Sequence, residues 1–155
     1  MKQLSVITSV IFLLVSIFLQ MGNYNERKEK MKLNAGFITS KLKESKVFYS
    51  EVLGFELTFE NDFYVLMHTP DGQTEISFLL PNHATQQPVF HKAYAGFGAY
   101  LTLEVADVDD FYQKLKKKNV KISFSIRDEA WGDRHFAIED PNGLGIDIVT
   151  YKKPD

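Results

Sequence analysis

The chain has 155 residues, of which 45% are apolar and 25% charged, and this is enough for one domain with a sizeable core. Its net charge of −2 gives no electrostatic reason to expect a nucleic-acid partner. Cysteine is absent, which excludes disulfides, thiolate metal sites and a cysteine nucleophile. Aromatic residues reach 14%, so many of their rings must be buried in the core or line a cavity.

The N-terminal part of the chain differs from the rest. From Leu4 to Met21 the sequence is uncharged and apolar, long enough to span a bilayer or to act as a signal sequence. The run lacks a small-x-small cleavage pattern, which favours a retained anchor over a removed signal. Alternatively, translation starts at Met31, because the preceding run ERKEK has purine-rich codons like those of a ribosome-binding site. We therefore separate residues 1–30, an anchor, signal or mis-called start, from a domain at 31–155.

The residues after Met31 predict a strand, a helix and three further strands. The segment FELTF alternates with the period of a strand, Gly54 ends the preceding helix, and Pro70-Asp71-Gly72 forms a turn. The predicted elements are a strand at 33–39, a helix at 43–53 and strands at 55–59, 63–68 and 74–80.

A segment rich in Gln, His, Pro and Gly, residues 81–98, links this half to a second one with the same order of elements. Asp107 is a plausible N-cap for the second helix, and residues 127–129 are interpreted as surface charge. The predicted elements are a strand at 99–105, a helix at 108–118 and strands at 120–126, 135–139 and 145–150. The sequence therefore predicts one βαβββ unit repeated twice.

Three segments of the repeated units have distinctive sequences, SKVFYSEVLGFEL in the first helix, LEVADVDDFYQKLKKKNV in the second half, and WGDRHFAIEDPNGLGIDIV at the closing hairpin. These segments resemble motifs of the vicinal oxygen chelate superfamily, which includes glyoxalase I, bleomycin-resistance proteins and extradiol dioxygenases. The resemblance implies an α+β fold in which two βαβββ modules form curved mixed sheets around a cavity, commonly in a homodimer. It does not fix the function, because this superfamily includes lyases, isomerases, dioxygenases and binding proteins.

The resemblance also implies where a metal would be bound. Metal-using members take four ligands, usually His, Glu or Gln, from four strands, and those positions fall at Asn34, Ser77, Tyr100 and Asp147. A single carboxylate cannot hold a divalent transition ion usefully, so we expect no metal cofactor. The alternative is a glyoxalase-type lyase or dioxygenase that uses Zn, Ni, Fe or Mn, and whether the protein is an enzyme stays open.

We expect a metal-independent binding protein of the bleomycin-resistance type, with a cationic or aromatic ligand in the cavity between the modules and a role in antibiotic resistance. If the family register holds, Asp147 points into that cavity, where an acid requires a partner that a cationic ligand would supply. Planar rings would offer stacking and cation–π surfaces, and the alternative is that most of these rings simply belong to the core. The predicted contacts are Trp131, Tyr100, Asp147, Phe37, Phe78, Phe97 and His91.

The expected partners follow from the same interpretation. We expect a small-molecule ligand, a homodimer and no nucleic acid, in the cytoplasm. Membrane contact is expected only if residues 1–30 are genuinely translated, with Leu4 to Met21 as the anchor. His135 is a further candidate for ligand contact, and its alternative role is that of a hydrogen-bonded imidazole within a strand. A regulatory or structural partner domain is the remaining alternative.

Overall fold

The first βαβββ module starts where the sequence predicts it. A computed structural model describes residues 31–151, and the predictions made for residues 1–30 lie outside this part. The elements of the first module are β1 (Asn34–Ile38), α1 (Leu42–Val47, continued by a π-helical turn at Phe48–Val52), β2 (Glu56–Glu60), β3 (Tyr64–His68) and β4 (Glu75–Leu79).

The second module repeats this order after a linker that contains one short 3₁₀ turn, Pro88–Phe90. Its elements are β5 (Tyr100–Glu104), α2 (Val108–Lys117), β6 (Ile122–Asp128), β7 (Asp133–Glu139) and β8 (Gly145–Tyr151). Asp107 caps α2 as predicted, since its Oδ1 accepts a hydrogen bond from the backbone N–H of Asp110 at 2.9 Å. Within residues 31–151, no helix is both long and apolar enough to cross a membrane.

Each module forms its own four-stranded mixed sheet, in the orders β1-β4-β3-β2 and β5-β8-β7-β6. The first strand of each module runs parallel to the last strand, which the intervening helix makes possible, and the other pairs are antiparallel. The predicted α+β fold of two repeated modules is therefore confirmed.

The strands alternate between a face that packs into the core and an opposite face, called here the open face. In the first sheet Met67 and Phe78 are fully buried on the core side, and Phe136 and Ile148 occupy the same place in the second. Neighbouring strands bring residues in register to the same face. The open-face set includes Gly36, Leu66 and Ser77 in the first sheet and Thr102, Ala137 and Asp147 in the second.

The turn between β7 and β8 joins the second module to the first. Asn142 donates from Nδ2 to Oγ of Ser45 at 2.9 Å and to Oδ2 of Asp140 at 2.8 Å, and its Oδ1 accepts from Thr39. The hydroxyl of the fully buried Tyr49 lies 3.5 Å from Oδ2 of Asp140. Burial and the neighbouring Asp140 carboxylate raise the pKa of the Tyr49 phenol, so that this phenol stays protonated. Asp140 and Asn142 belong to the sequence DPNG, so this turn, besides joining β7 to β8, also contacts the first module.

Candidate functional site

Asp147 finds its partner within the protein. A hydrogen bond of 2.7 Å joins its Oδ1 to Nδ1 of His135 on β7, the neighbouring strand. The other ring nitrogen of His135, Nε2, lies 3.2 Å from Oε1 of Glu129. The three side chains are exposed by 30%, 17% and 13% respectively, so the imidazole bridges two largely shielded carboxylates. The predicted need for a cationic ligand at Asp147 is corrected here, because His135 meets it.

Two further side chains complete this group. The Nε of Arg127 donates to Oε1 of Glu129 at 2.5 Å, and its guanidinium lies 4.3 Å from the ring centroid of Phe124. His135 meets the same ring edge to face, with centroids 5.0 Å apart. We call these five residues, Phe124, Arg127, Glu129, His135 and Asp147, the histidine cluster.

The sequence interpretation of Arg127 and Glu129 as surface charge is incomplete. Strand β6 runs to Asp128, beyond its predicted end, and β7 begins at Asp133, before its predicted start. Arg127 is consequently paired in register with His135 across the two strands. Although Arg127 is exposed, Glu129 is half-buried and participates in the cluster.

The electrostatics of the histidine cluster are nearly balanced. Burial lowers the pKa of His135, but the hydrogen bonds and charges of Glu129 and Asp147 outweigh it and raise the pKa above its ordinary value. The hydrogen bond from His135, followed by that from Arg127, lowers the pKa of the Glu129 carboxyl. With His135 protonated, two cations face two carboxylates, and the loss of its proton leaves one negative charge in excess.

The open face of the first sheet holds a cavity of about 540 Å³, called here the first-sheet cavity. Part of its lining comes from the linker, and none of the described residues that line it is charged. Ser77 donates from Oγ to Oδ1 of Asn34 at 3.0 Å on its floor. The other polar lining residues are Asn61 and Gln86, and the rings are those of Phe37, Phe63, Tyr64 and Phe90.

A second cavity of about 610 Å³, the intermodule cavity, lies between residues of the two modules. Its walls include Leu53 and Ile76 from the first module and Leu103 and Ile146 from the second. None of the seven ligand contacts that the sequence predicts lines this cavity. A cavity of this size therefore lies between the modules, and the seven predicted contacts lie outside it.

The remaining predicted contacts lie in separate places. Phe37 lines the first-sheet cavity and meets Tyr94 edge to face at 5.6 Å. Tyr100, Trp131 and Phe97 are 72%, 70% and 78% exposed and line neither cavity.

Two predicted contacts have structural partners instead. Phe78 is fully buried and packs on Tyr49, with ring centroids 4.9 Å apart, so it is corrected to a core residue that a ligand cannot reach. His91 is bonded through Nε2 to the backbone oxygen of Gln86 at 2.8 Å, which ties together two parts of the linker.

The residues at the family's metal-ligand positions do not fit a divalent transition ion. Asn34 and Ser77 are neutral oxygen donors that bond each other, and Asp147 is engaged by His135. Tyr100 supplies only a phenol. Zinc, nickel and iron sites in proteins use imidazole, thiolate and carboxylate ligands in sets of three or more. Across residues 31–151, no set of three or more His, Cys, Asp or Glu side chains is arranged to hold a metal ion, and in the histidine cluster both ring nitrogens of His135 are already engaged by carboxylates.

Comparison with known proteins assigns the fold to a family. Residues 34–148 match the model of the Glyoxalase/Bleomycin resistance protein/Dioxygenase superfamily. The chain belongs to this superfamily. No curated protein sequence matches the chain, whereas many solved structures resemble it.

Solved members of the superfamily with the same fold have different activities. TnmS3, an antibiotic-binding protein from Streptomyces sp. CB03234, is 19% identical, with a TM-score of 0.65 over 82% of this chain and 100% of its own. A superfamily member from Sphaerobacter thermophilus is 26% identical, with a TM-score of 0.63 over 78% and 97%. A lactoylglutathione lyase from Agrobacterium tumefaciens is 15% identical, with a TM-score of 0.63 over 79% and 93%. The fold is therefore shared by a binding protein and an enzyme, and the site must decide between them.

Proposed function

We propose that this protein binds a small aromatic molecule in the first-sheet cavity without a metal ion, as a binding protein of the bleomycin-resistance type. The observation that carries the proposal is an uncharged, ring-lined cavity of about 540 Å³ at two of the four family ligand positions. Binding sites for drug-sized molecules occupy about 300–1,000 Å³ and combine apolar walls with a few polar groups. The likeness in fold to TnmS3, which binds an antibiotic, supports ligand binding as the general function.

The lining suggests how such a ligand is held. Tyr64 on β3 and Phe90 in the linker offer apolar and stacking surface, and Phe63, which precedes β3 and stacks on His83 with ring centroids 3.8 Å apart, adds apolar surface. In the hydrogen bond between Ser77 and Asn34, the serine keeps lone pairs and the asparagine keeps its NH₂ group, so the pair can still accept from and donate to a ligand. These features favour a neutral aromatic ligand at this site, because no side chain there would neutralise a buried charge.

The exposed rings outside the cavity support the expectation of a homodimer. Phe97, Tyr100 and Trp131 are large apolar side chains that solvent reaches in the single chain. Large exposed apolar side chains mark a site of contact with a partner when they form one patch. A second copy that covers them would form a homodimer, and the molar mass in solution tests this. A cytoplasmic location likewise stays a prediction, testable by cell fractionation.

The proposal is tested with 1-N-phenylnaphthylamine, a neutral aromatic probe whose fluorescence rises in apolar surroundings. The full chain, purified without added metal and in the presence of a chelator, should bind it saturably. Tyr64→Leu, which removes a ring of the cavity, should weaken binding about tenfold. The matched control is Tyr151→Leu, since Tyr151 is a half-exposed ring outside the cavity.

The same preparation tests the rival function, a metal-dependent lyase or dioxygenase. The proposal requires probe affinity to be unchanged by the chelator. Stoichiometric Zn, Ni, Fe or Mn in the protein, together with equal probe affinity in the wild type and Tyr64→Leu, would overturn it.

A further inference from the structure

The intermodule cavity has a wall and a rim of different chemistry. Apolar side chains of both modules form its wall, among them the partly exposed Ala35, Leu101, Leu103 and Val105, and buried core residues such as Ile76 and Ile146 lie at its base. These groups give an apolar molecule surface on which it can be buried. At about 610 Å³, the cavity is large enough for a molecule of drug size.

The charged groups of this cavity all have one sign. Its described lining includes the acidic residues Asp71 and Glu104, together with Glu75, which has an interaction of its own, but no Lys, Arg or His. Asp71 lies in the turn before β4, and Glu104 ends β5 on the other module, so the carboxylates come from both sides.

Hydrogen bonds fix the carboxylate of Asp71 in place. Its Oδ1 accepts from Oγ1 of Thr69 at 2.5 Å and from the backbone N–H of Gln73 at 3.1 Å. The hydrogen bond from Thr69, followed by that from Gln73, lowers the pKa of Asp71, which keeps this group ionised at neutral pH.

We propose that the intermodule cavity is a second binding site, which takes an organic monocation with an apolar body. The apolar wall would bury the body, and Asp71 and Glu104 would lie near the positive charge at the rim. An anion is disfavoured there by the like charge of the carboxylates, and a neutral molecule would gain the burial but not the attraction. The site is distinct from the first-sheet cavity, whose lining shares no residue with it, so either proposal can fail alone.

The test uses two probes that differ only in charge, choline phenyl ether and its neutral carbon isostere, 3,3-dimethylbutyl phenyl ether. Both are titrated into the ¹⁵N-labelled full chain, and amide chemical shifts give the affinity and the place of binding. We expect the cation to shift amides at residues 71–76 and 101–106 and to bind about fivefold tighter than the isostere.

Variants then separate charge from shape. Glu104→Gln combined with Asp71→Asn should abolish the preference for the cation, and the new amide oxygen at position 71 can still accept the bonds from Thr69 and Gln73. Glu44→Gln, at an exposed acid on α1 that lines neither cavity, should change nothing. Equal affinity for the two probes, shifts confined to the first-sheet cavity, or no saturable binding of the cation would each overturn the proposal.

Discussion

On the open face of the first sheet Ser77 bonds Asn34, whereas the last strand of the second sheet carries Asp147 bonded to His135. Ser77 and Asp147 hold corresponding places in two modules of the same topology. The first pair is neutral and borders a cavity, while the second belongs to a cluster of four ionisable groups, of which Arg127 and His135 contact the ring of Phe124.

The difference shows how one topology supports two kinds of polar site. Because Ser77 and Asn34 are uncharged and bond each other, removing water from them costs little free energy, and the cavity beside them can bind an uncharged ligand. The shielded carboxylates of the charged cluster need hydrogen-bonded cationic partners, and His135 and Arg127 supply them. The proposed ligand site therefore lies on the first sheet, whereas the charged side chains of the second sheet pair with one another.

The largest change in stability is expected when the imidazole of His135 is removed from the second sheet. His135→Leu leaves Glu129 and Asp147 as two shielded carboxylates without the bridge between them. We expect the free energy of unfolding at pH 6 to fall by about 2 kcal/mol, measured by urea denaturation.

The matched control for this change lies in the first sheet. His68→Leu removes a half-buried strand histidine whose Nδ1 bonds only the backbone oxygen of Thr69 among the contacts described. We expect it to cost less than half as much. Equal losses in the two variants would show that the charged cluster has no special role in stability.

The neutral pair should give a smaller effect. Ser77→Ala removes the donor to Asn34 at a nearly buried position, and we expect a loss of about 1 kcal/mol in the free energy of unfolding. Ser123→Ala is the control, because that serine bonds Glu139 at an exposed site and should contribute little. If Ser77→Ala lost more free energy of unfolding than His135→Leu, the neutral pair would contribute more to stability than the charged cluster, contrary to our expectation.

The topology behind this comparison follows from the sequence, but the partners of Asp147 do not. Alternation, turn residues and the Asp107 cap predict every strand and helix of both modules near its observed place. A shift of only two residues at each end of the hairpin β6–β7 moves Arg127 from a loop into the sheet. Pattern reasoning cannot resolve element ends that finely, because strand pairing outside the local sequence decides them.

The prediction of Phe78 as a ligand contact could have been corrected from the sequence. Ser77 and Phe78 are neighbours on β4, and neighbours on a strand point to opposite faces. If Ser77 faces the cavity, Phe78 must face the core, which is what the structure shows. By contrast, no local signal indicates that Asn142 in the second module contacts Ser45 in the first, since that pair depends on the packing of the modules.

The contribution of the histidine cluster to stability should also depend on pH. The raised pKa of His135 means that its contribution to stability is fully present below the ordinary value of 6.5 and is lost as pH rises through the folded-state pKa. Urea denaturation of the wild type between pH 5 and 8 should therefore show a free energy of unfolding that decreases as the pH rises above about 6.5. His135→Gln should remove this component, and Ser77→Ala should keep it. An unchanged profile in His135→Gln would assign the pH dependence to other groups.

The smallest effect is expected at Arg127, whose side chain is 59% exposed. Arg127→Gln removes the contact over Phe124 and one partner of Glu129, and exposed interactions of this kind contribute about 0.5 kcal/mol or less. The variant is nevertheless informative, because a lost cation near His135 should raise the pKa of the imidazole further, measured from its NMR signals. Arg134→Gln is the control, since Arg134 bonds Asp109 and Asp128 rather than the histidine cluster and should leave that pKa unchanged. If the pKa of His135 falls in Arg127→Gln, the guanidinium stabilises the protonated imidazole by positioning Glu129, and this ordering outweighs its direct repulsion.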